Sequence, residues 1–335
     1  MKSLDYTSLT QPVTKQDIAS FKQNSGYKGL GISRTPVWIG SAFSLLFFGL
    51  ALLIRPDENY QFLTIIWVFL AFIGTVFTVY AENSVRNLQS RIVLTKFAKA
   101  NDAVYMFKPS GVLEDGLIFK RGHSKEMTHY MKFKSGWEMG SYEYTEGHGK
   151  SSTTYEWGFA SMPLKRALPN MMLCSAGSKI YNALTTSGLT DSLSSDQKIS
   201  LEGDFDKYFT LYAPKEYTTD ALYLFTPDVM QAAVEHGAAF DMEIIGTRLY
   251  IYRQDNTELT KQKTLQDYVE IFDSFGKQLA EQDEHYADER VGNRALNQVA
   301  ESGRELKRSV NLVGLFITLV IILIGLGFVI YSLYY

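Results

Sequence analysis

The chain has one cysteine and five histidines in 335 residues. A single thiol, Cys174, forms no disulfide within the chain. It is neutral evidence that fits a reducing compartment, and it excludes thiolate zinc sites. His123, His129 and His148 match no zinc spacing either. No G-x-S-x-G elbow occurs. Charge is missing in a patterned way. Three windows contain no Asp, Glu, Lys, Arg or His: Pro36–Ile54, Gln61–Ala81 and Val310–Ser332. Mean hydropathy over the whole chain is only -0.09, so apolar and polar residues are segregated along it.

Each window is long enough to span a bilayer. A helix rises about 1.5 Å per residue, so about 20 apolar residues cross a hydrocarbon core of about 30 Å. The first window begins behind a polar tail of 35 residues and is soon followed by another. A cleavable signal peptide has neither feature, so Met1 and both early spans are expected in the mature protein. The windows carry no ionisable group to mark an ion path, which disfavours a pump or pore. Their hydroxyls (Ser41, Ser44, Thr64, Thr75, Thr78) read better as bonds to helix backbone or to a neighbouring helix. Gly40 and Ser44 form a small-xxx-small pair that admits a second helix.

Basic residues set the expected orientation. Lys2, Lys15, Lys22, Lys28 and Arg34 precede the first window. Arg86, Arg91, Lys96 and Lys99 follow the second, and Arg304, Lys307 and Arg308 precede the third. The loop at 55–60 has only Arg55 beside Asp57 and Glu58. The pattern predicts a multi-pass protein of the cell membrane. Its tail 1–35 and its middle, 84–309, are cytoplasmic, a transmembrane hairpin covers 36–81, and the helix 310–332 leads outside. Trp38, Tyr60, Tyr80 and Tyr331 fall near span ends, where amphipathic rings prefer the headgroup level.

The middle reads as an α+β soluble domain, an antiparallel sheet with packed helices, tethered by three transmembrane helices. Two subregions, 100–168 and 169–285, differ in pattern. The segment after the second span extends its helix or forms a separate one, with Val85, Leu88, Ile92 and Phe97 as a partial apolar stripe. "VLEDGLIFKRG" is strand-like, with a turn at Asp115-Gly116. His129, Met131 and Phe133 alternate with polar neighbours, as do Tyr155, Trp157 and Phe159, which predicts half-buried strands. One possible register sets Gly140 opposite Phe159 and Tyr142 opposite Trp157. "YFTLYA" and "DALYLF" are strand candidates, and 184–198 is a loop. Thr226, Pro227 and Gly237 are the start and stop signals of a helix. "FDMEIIGTRLYIYR" reads as a hairpin turning at Gly246-Thr247. Tyr268, Ile271, Phe272, Phe275 and Leu279 line one helical face. In the N-terminal tail, Thr14 and Asp17 are placed to cap a short helix, while an unstructured tail fits equally well.

Three stretches carry a resemblance: "SLEGDFDKYFTLYAPKEYTTDALYLFTPDVM" at 200–230, "YEWGFASMPLKRALPNMML" and "HYADERVG". They make about 130–300 similar to a family of uncharacterised bacterial integral membrane proteins common in actinobacteria. The resemblance implies a bacterial cell membrane and a cytoplasmic domain of unknown function. It implies no catalytic residue.

Chemistry-bearing patterns are sparse. "GHGKS" at 147–151 supplies Gly149-Lys150-Ser151, but Tyr144 stands where a phosphate loop needs its first glycine, and the stretch joins strands. Glu281, His285 and Glu289 fall four apart and share a face if helical, which usually marks a solvated face. Asp204 and Asp206 suit a loop better than a carboxylate pair. Cys174 lies among apolar residues as a buried thiol would. Residues 84–309 hold 27 Lys+Arg against 31 Asp+Glu, with no basic stripe, so a nucleic-acid partner is not expected. No catalytic, cofactor or metal residue is assigned. Three classes remain: a membrane-anchored, non-enzymatic binding or scaffold module with a lipid bilayer and a membrane or cytoplasmic protein as partners, a membrane-surface enzyme, and a subunit of a small oligomeric channel or transporter. The sequence leaves the oligomeric state open.

Overall fold

The computed structural model describes residues 4–25, 33–53, 61–110, 114–176, 193–254, 258–293 and 295–308, with the single positions 320 and 325. The third apolar window, apart from those two positions, and the 55–60 loop therefore lie outside the described residues. The chain divides into two compact units, Lys2–Phe107 and Lys108–Tyr335.

The first unit holds helices α1 (Thr7–Thr10), α2 (Lys15–Ser25), α3 (Thr35–Leu53) and α4 (Gln61–Ala100), then strand β1 (Ala103–Met106). Of the two readings of the tail, the helix is the one found. Asp17 N donates to Thr14 Oγ1 at 3.1 Å, and Thr14 N donates to the Asp17 carboxylate at 2.9 Å. This reciprocal cap satisfies donors that a helix start leaves open. Asn101 ties the tail to the end of α4, accepting from Asp5 N at 2.7 Å and donating to Asp5 O at 2.9 Å.

Helices α3 and α4 are both long and apolar enough to cross a membrane. They pack through small residues. A Cβ on Gly74 would lie 3.0 Å from Ser44 N, and one on Gly40 would lie 2.5 Å from Thr78 Oγ1. Ser44 donates to Ala71 O at 3.0 Å, and Thr75 donates to the same carbonyl at 2.9 Å. The hydroxyls thus serve backbone and a neighbouring helix, and the small-xxx-small pair meets this chain's own second span. Helix α4 runs on without a break past the apolar window. Ala81, Val85, Leu88 and Ile92, spaced four, three and four apart, are buried along it.

The second unit is α+β. Its strands are β2 (His123–Phe133), β3 (Glu138–Glu146), β4 (Thr153–Ser175), β5 (Lys198–Ile199) and β6 (Phe209–Tyr212). Helices α5 (Thr218–Leu224) and α6 (Pro227–His236) follow, then β7 (Asp241–Arg253), α7 (Gln262–Ile271), a π turn at Phe272–Gly276 and α8 (Lys277–Asp283). The 23-residue β4 is the spine. One edge pairs with β3 near its start and β6 near its end, the other pairs with β7 along most of its length, and every pairing is antiparallel. The strand crosses the point near 168 where the sequence pattern changes. Gly140 opposes Phe159 and Tyr142 opposes Trp157, the register considered above.

Four local expectations are corrected. "DALYLF" lies in α5, because Ala221 and Leu224 are buried while Leu222 and Tyr223 are exposed, a helical period in place of a strand's. The stretch 241–253 is one strand. Gly246 has φ +53 and sits opposite a register shift in β4, so both strands bend together and neither reverses. "LIFK" forms a 3₁₀ turn at Leu117–Lys120. In β2, a shift between Thr128 and Met131, with His129 at φ +52, breaks the alternation, and Tyr130 and Met131 are both buried. Helix α6 begins and ends as its signals predict: Thr226 caps Val229 N at 3.5 Å, Pro227 is the first helical residue and Gly237 follows the last. Tyr268, Ile271, Phe272, Phe275 and Leu279 are all fully buried.

Candidate functional site

A group of interacting titratable side chains in the second unit lies on one sheet face. Glu138, Ser161 and Tyr250 are cross-strand neighbours on β3, β4 and β7, and Gly140, Phe159 and Tyr252 form the next row. The stretch 114–120 crosses this face as a strap. Phe119 is its central ring, with centroids 4.7 Å from Tyr142, 5.0 Å from Phe159 and 6.3 Å from both Tyr250 and Tyr252. Edge-on contacts suit aromatic quadrupoles.

Two carboxyl clasps hold the strap. At one, Glu243 Oε2 accepts from Leu117 N at 2.7 Å and from Tyr252 Oη at 2.7 Å. Burial pushes the Glu243 carboxyl up to about 7, against those two donors. Gly116 lets the strap pass, since a Cβ there would fall on the Tyr252 hydroxyl at 1.9 Å. At the other clasp Glu114 and Glu138 are hydrogen-bonded to each other. Lys132 Nζ lies 2.7 Å and Arg248 Nη2 3.0 Å from the Glu138 carboxylate, and these cations outweigh burial and hold Glu138 low. Burial and the adjacent Glu138 raise Glu114 to about 7, and Tyr250 bonds to it. Of the two carboxyls, Glu114 is therefore the one that takes up a proton more readily. Arg248 also donates to Ser161 Oγ at 2.5 Å. Every carboxyl of this cluster has a partner within the fold, so the arrangement fastens the strap.

None of the three carboxyls, Glu114, Glu138 and Glu243, stands out in the sequence. Glu114, Glu138 and Glu243 are far apart in the chain and obey no motif. The only available signal was the density of tyrosine beside glutamate in three strand-like stretches.

The residues that were weighed are scattered. Asp204 pairs with Lys207 at 2.7 Å, while Asp206 accepts from Ser200 Oγ and, at 3.2 Å, from Leu201 N. They brace a turn. Gly149–Ser151 is a 3₁₀ turn at the β3–β4 hairpin tip, with no helix behind it. His123 and His148 stack there with centroids 5.1 Å apart, and His129 is elsewhere on β2. Cys174 is buried, and burial together with Asp241 and Glu243 raises its thiol well above the ordinary range. Helix α8 ends at Asp283, so Glu281 is helical while His285 and Glu289 lie beyond it and share no helix face. His285 and Glu289 line a polar groove of about 710 Å³ beside Asp220 and Arg290. Arg290 is engaged there, 2.9 Å from Asp220, 3.1 Å from Asp288 and 4.0 Å above the Tyr217 ring. Among the described residues, no group of three or more His, Cys, Asp or Glu side chains is placed to hold a metal.

No protein-family model matches the chain. No curated protein matches it. Among solved structures it aligns with the crystal structure of the mycobacterial trehalose monomycolate transport factor A, TtfA, at 9% identity and a TM-score of 0.38, over 56% of this chain and 92% of that one.

Proposed function

We propose that the chain is a membrane-anchored, non-enzymatic binding module whose α+β unit is held at the cytoplasmic face of the cell membrane. One observation carries this reading. Of the 24 exposed large apolar side chains among the described residues, 19 lie between Trp38 and Tyr80 on α3 and α4. A soluble protein would bury such a surface. Within the same continuous α4 the pattern reverses at Ala81, where burial and basic residues begin. This passage from an apolar exposed stretch to a basic, partly buried one supports the cytoplasmic placement that the positive flanks predict.

A second anchor point supports the reading. Gln197 Nε2 donates to Lys307 O at 2.7 Å, and Lys307 N donates to Gln197 Oε1 at 2.8 Å. The residues just before the third apolar window are thereby pinned to the α+β unit. A module pinned this way, with the carboxyls of both clasps and Arg290 committed internally, suits recognition of a membrane or cytoplasmic protein better than turnover of a substrate.

The test is orientation and capture in cells. Single cysteines at Asp57, Lys150 and Tyr335 are labelled with an impermeant maleimide, Cys174 being buried. The proposal expects labelling of intact cells at 57 and 335, and at 150 only after lysis. Labelling of 150 in intact cells sinks the cytoplasmic placement. Photo-crosslinking from the 140–160 hairpin then tests for a protein partner, and repeated failure to trap one removes the binding role.

A further inference from the structure

The first unit contains a cavity of about 380 Å³ between α2 and the part of α4 beyond its apolar stretch, with Tyr105 and Phe107 also lining it. The two helices run antiparallel here. Asp17 meets Lys96 at 3.1 Å, while Phe21, later in α2, meets Arg91, earlier in α4. The far end of α2 therefore points toward the membrane-spanning part of α4.

The lining divides by chemistry. Phe21, Ile92 and Phe107 provide an apolar wall. Arg91 and Lys96 bring two positive charges to the lining, and among its described residues Asp17 is the one carboxylate. That carboxylate is occupied, accepting from Thr14 N at 2.9 Å and from Lys96 at 3.1 Å, and it is held below its usual range by the backbone bond first. The Arg91 guanidinium carbon lies 4.3 Å from the Phe107 centroid and 5.5 Å from that of Phe21. Two aromatic rings thus flank the guanidinium, whose planar fork is of the kind that meets two oxygens of one anion. Ser20 and Asn24, one turn apart on α2, add a hydroxyl and an amide to the rim. The volume is in the range of small-molecule sites, which combine an apolar wall with a few placed polar groups.

The geometry points to this cavity as a binding site for a phosphate ester, with the phosphate on Arg91 and the attached organic part against Phe21, Ile92 and Phe107. A phosphate ester reaches it from either of two sources. Arg91 is ten residues past Ala81, about 15 Å along the helix, and a headgroup layer adds about 5–8 Å to the hydrocarbon core. Side chains lean toward a helix's N-terminus, here the membrane side, which shortens the gap for a lipid headgroup. A soluble ester faces no such gap. The lipid route rests on the membrane reading above, and the soluble route does not.

The test uses the full chain in detergent. Native mass spectrometry follows phosphatidylglycerol against phosphatidylcholine, and calorimetry follows sn-glycerol 3-phosphate. Saturable binding of phosphatidylglycerol in preference to phosphatidylcholine, or of glycerol phosphate, is expected. Arg91→Gln should weaken it tenfold or more, as loss of a two-pronged charged contact does. Asn24→Phe, which fills the cavity and leaves every charge in place, should weaken it similarly. Arg86→Gln is the control, since Arg86 is nearer the membrane and its side chain is 73% exposed. It should leave binding unchanged. The proposal is overturned if neither probe saturates, or if Arg86→Gln weakens binding as much as Arg91→Gln, which would mean surface charge and not the cavity. A chain that stays soluble without detergent would instead refute the membrane reading, and the glycerol phosphate arm would still decide the site.

Discussion

The ring of Phe159 occupies the space that a side chain at Gly140 would need: a Cβ there would approach Phe159 Cε1 to 2.9 Å. The two residues face each other across β3 and β4, and the ring is fully buried beneath Phe119. It has no room to retreat. Gly140→Ala should therefore destabilise the second unit by about 1–3 kcal/mol, the usual cost of overpacking a filled core. Thermal unfolding of the detergent-solubilised chain measures it. A variant as stable as the parent would mean that the strap shifts easily.

The α3–α4 contact makes a separate prediction. Ser44 and Thr75 hydroxyls are 2.8 Å apart. The paired variant Ser44→Cys/Thr75→Cys should crosslink readily in membranes under mild oxidation. Adding Gly74→Leu should abolish the crosslink, because the new side chain meets α3 backbone at residue 44. Crosslinking that survives this change would show that the two helices do not pack through Gly74.

Stability should depend on pH through the clasps. Burial raises Glu243 and Glu114 to about 7 in the fold, from an ordinary 4.5. The folded chain therefore binds more protons than the unfolded chain between those values. Each group's contribution is fully present below pH 4.5 and is lost as pH rises through 7. The midpoint of unfolding should fall on going from pH 6 to pH 8. Glu243→Gln, which mimics the protonated acid, should flatten the profile. An unchanged slope in that variant would remove Glu243 as a source.

Gln197 and Lys307 form a two-way bond, and Gln197 is almost fully buried. Gln197→Leu removes both halves at nearly constant volume and should cost about 1–3 kcal/mol. The loss should be local. Amide exchange at 304–308 should quicken, while the core of β4 and β7 keeps its protection. Uniformly faster exchange would mean that the contact supports the whole unit.

Features governed by neighbours in the chain were legible beforehand. The apolar windows of α3 and α4 follow from runs without charge. The Thr226–Gly237 helix follows from hydrogen bonds within a few residues, while the Thr14–Asp17 cap was one of two equal readings that the structure separated. The buried face of Tyr268, Ile271, Phe272, Phe275 and Leu279 follows from spacing alone. The errors fell where two periods or two backbones compete. "DALYLF" is apolar enough for a strand, and its helical state depends on burying Ala221 and Leu224. Gly246 favours a reversal by its conformational freedom, yet it became a bend because β4 shifts register opposite it.

The sequence by itself determined two lipid-length helices, the mixed α+β character of the rest and the ends of the Thr226–Gly237 helix. Those depend on composition and on contacts a turn apart. Only the tertiary structure decided the strap and its clasps. Glu243, Tyr250 and Tyr252 are on one strand, but Leu117, Glu114 and Glu138, which complete the two clasps, come from elsewhere in the chain. A carboxyl's proton near neutral pH is set by the burial and the charges that folding gathers around it, and no local pattern records either.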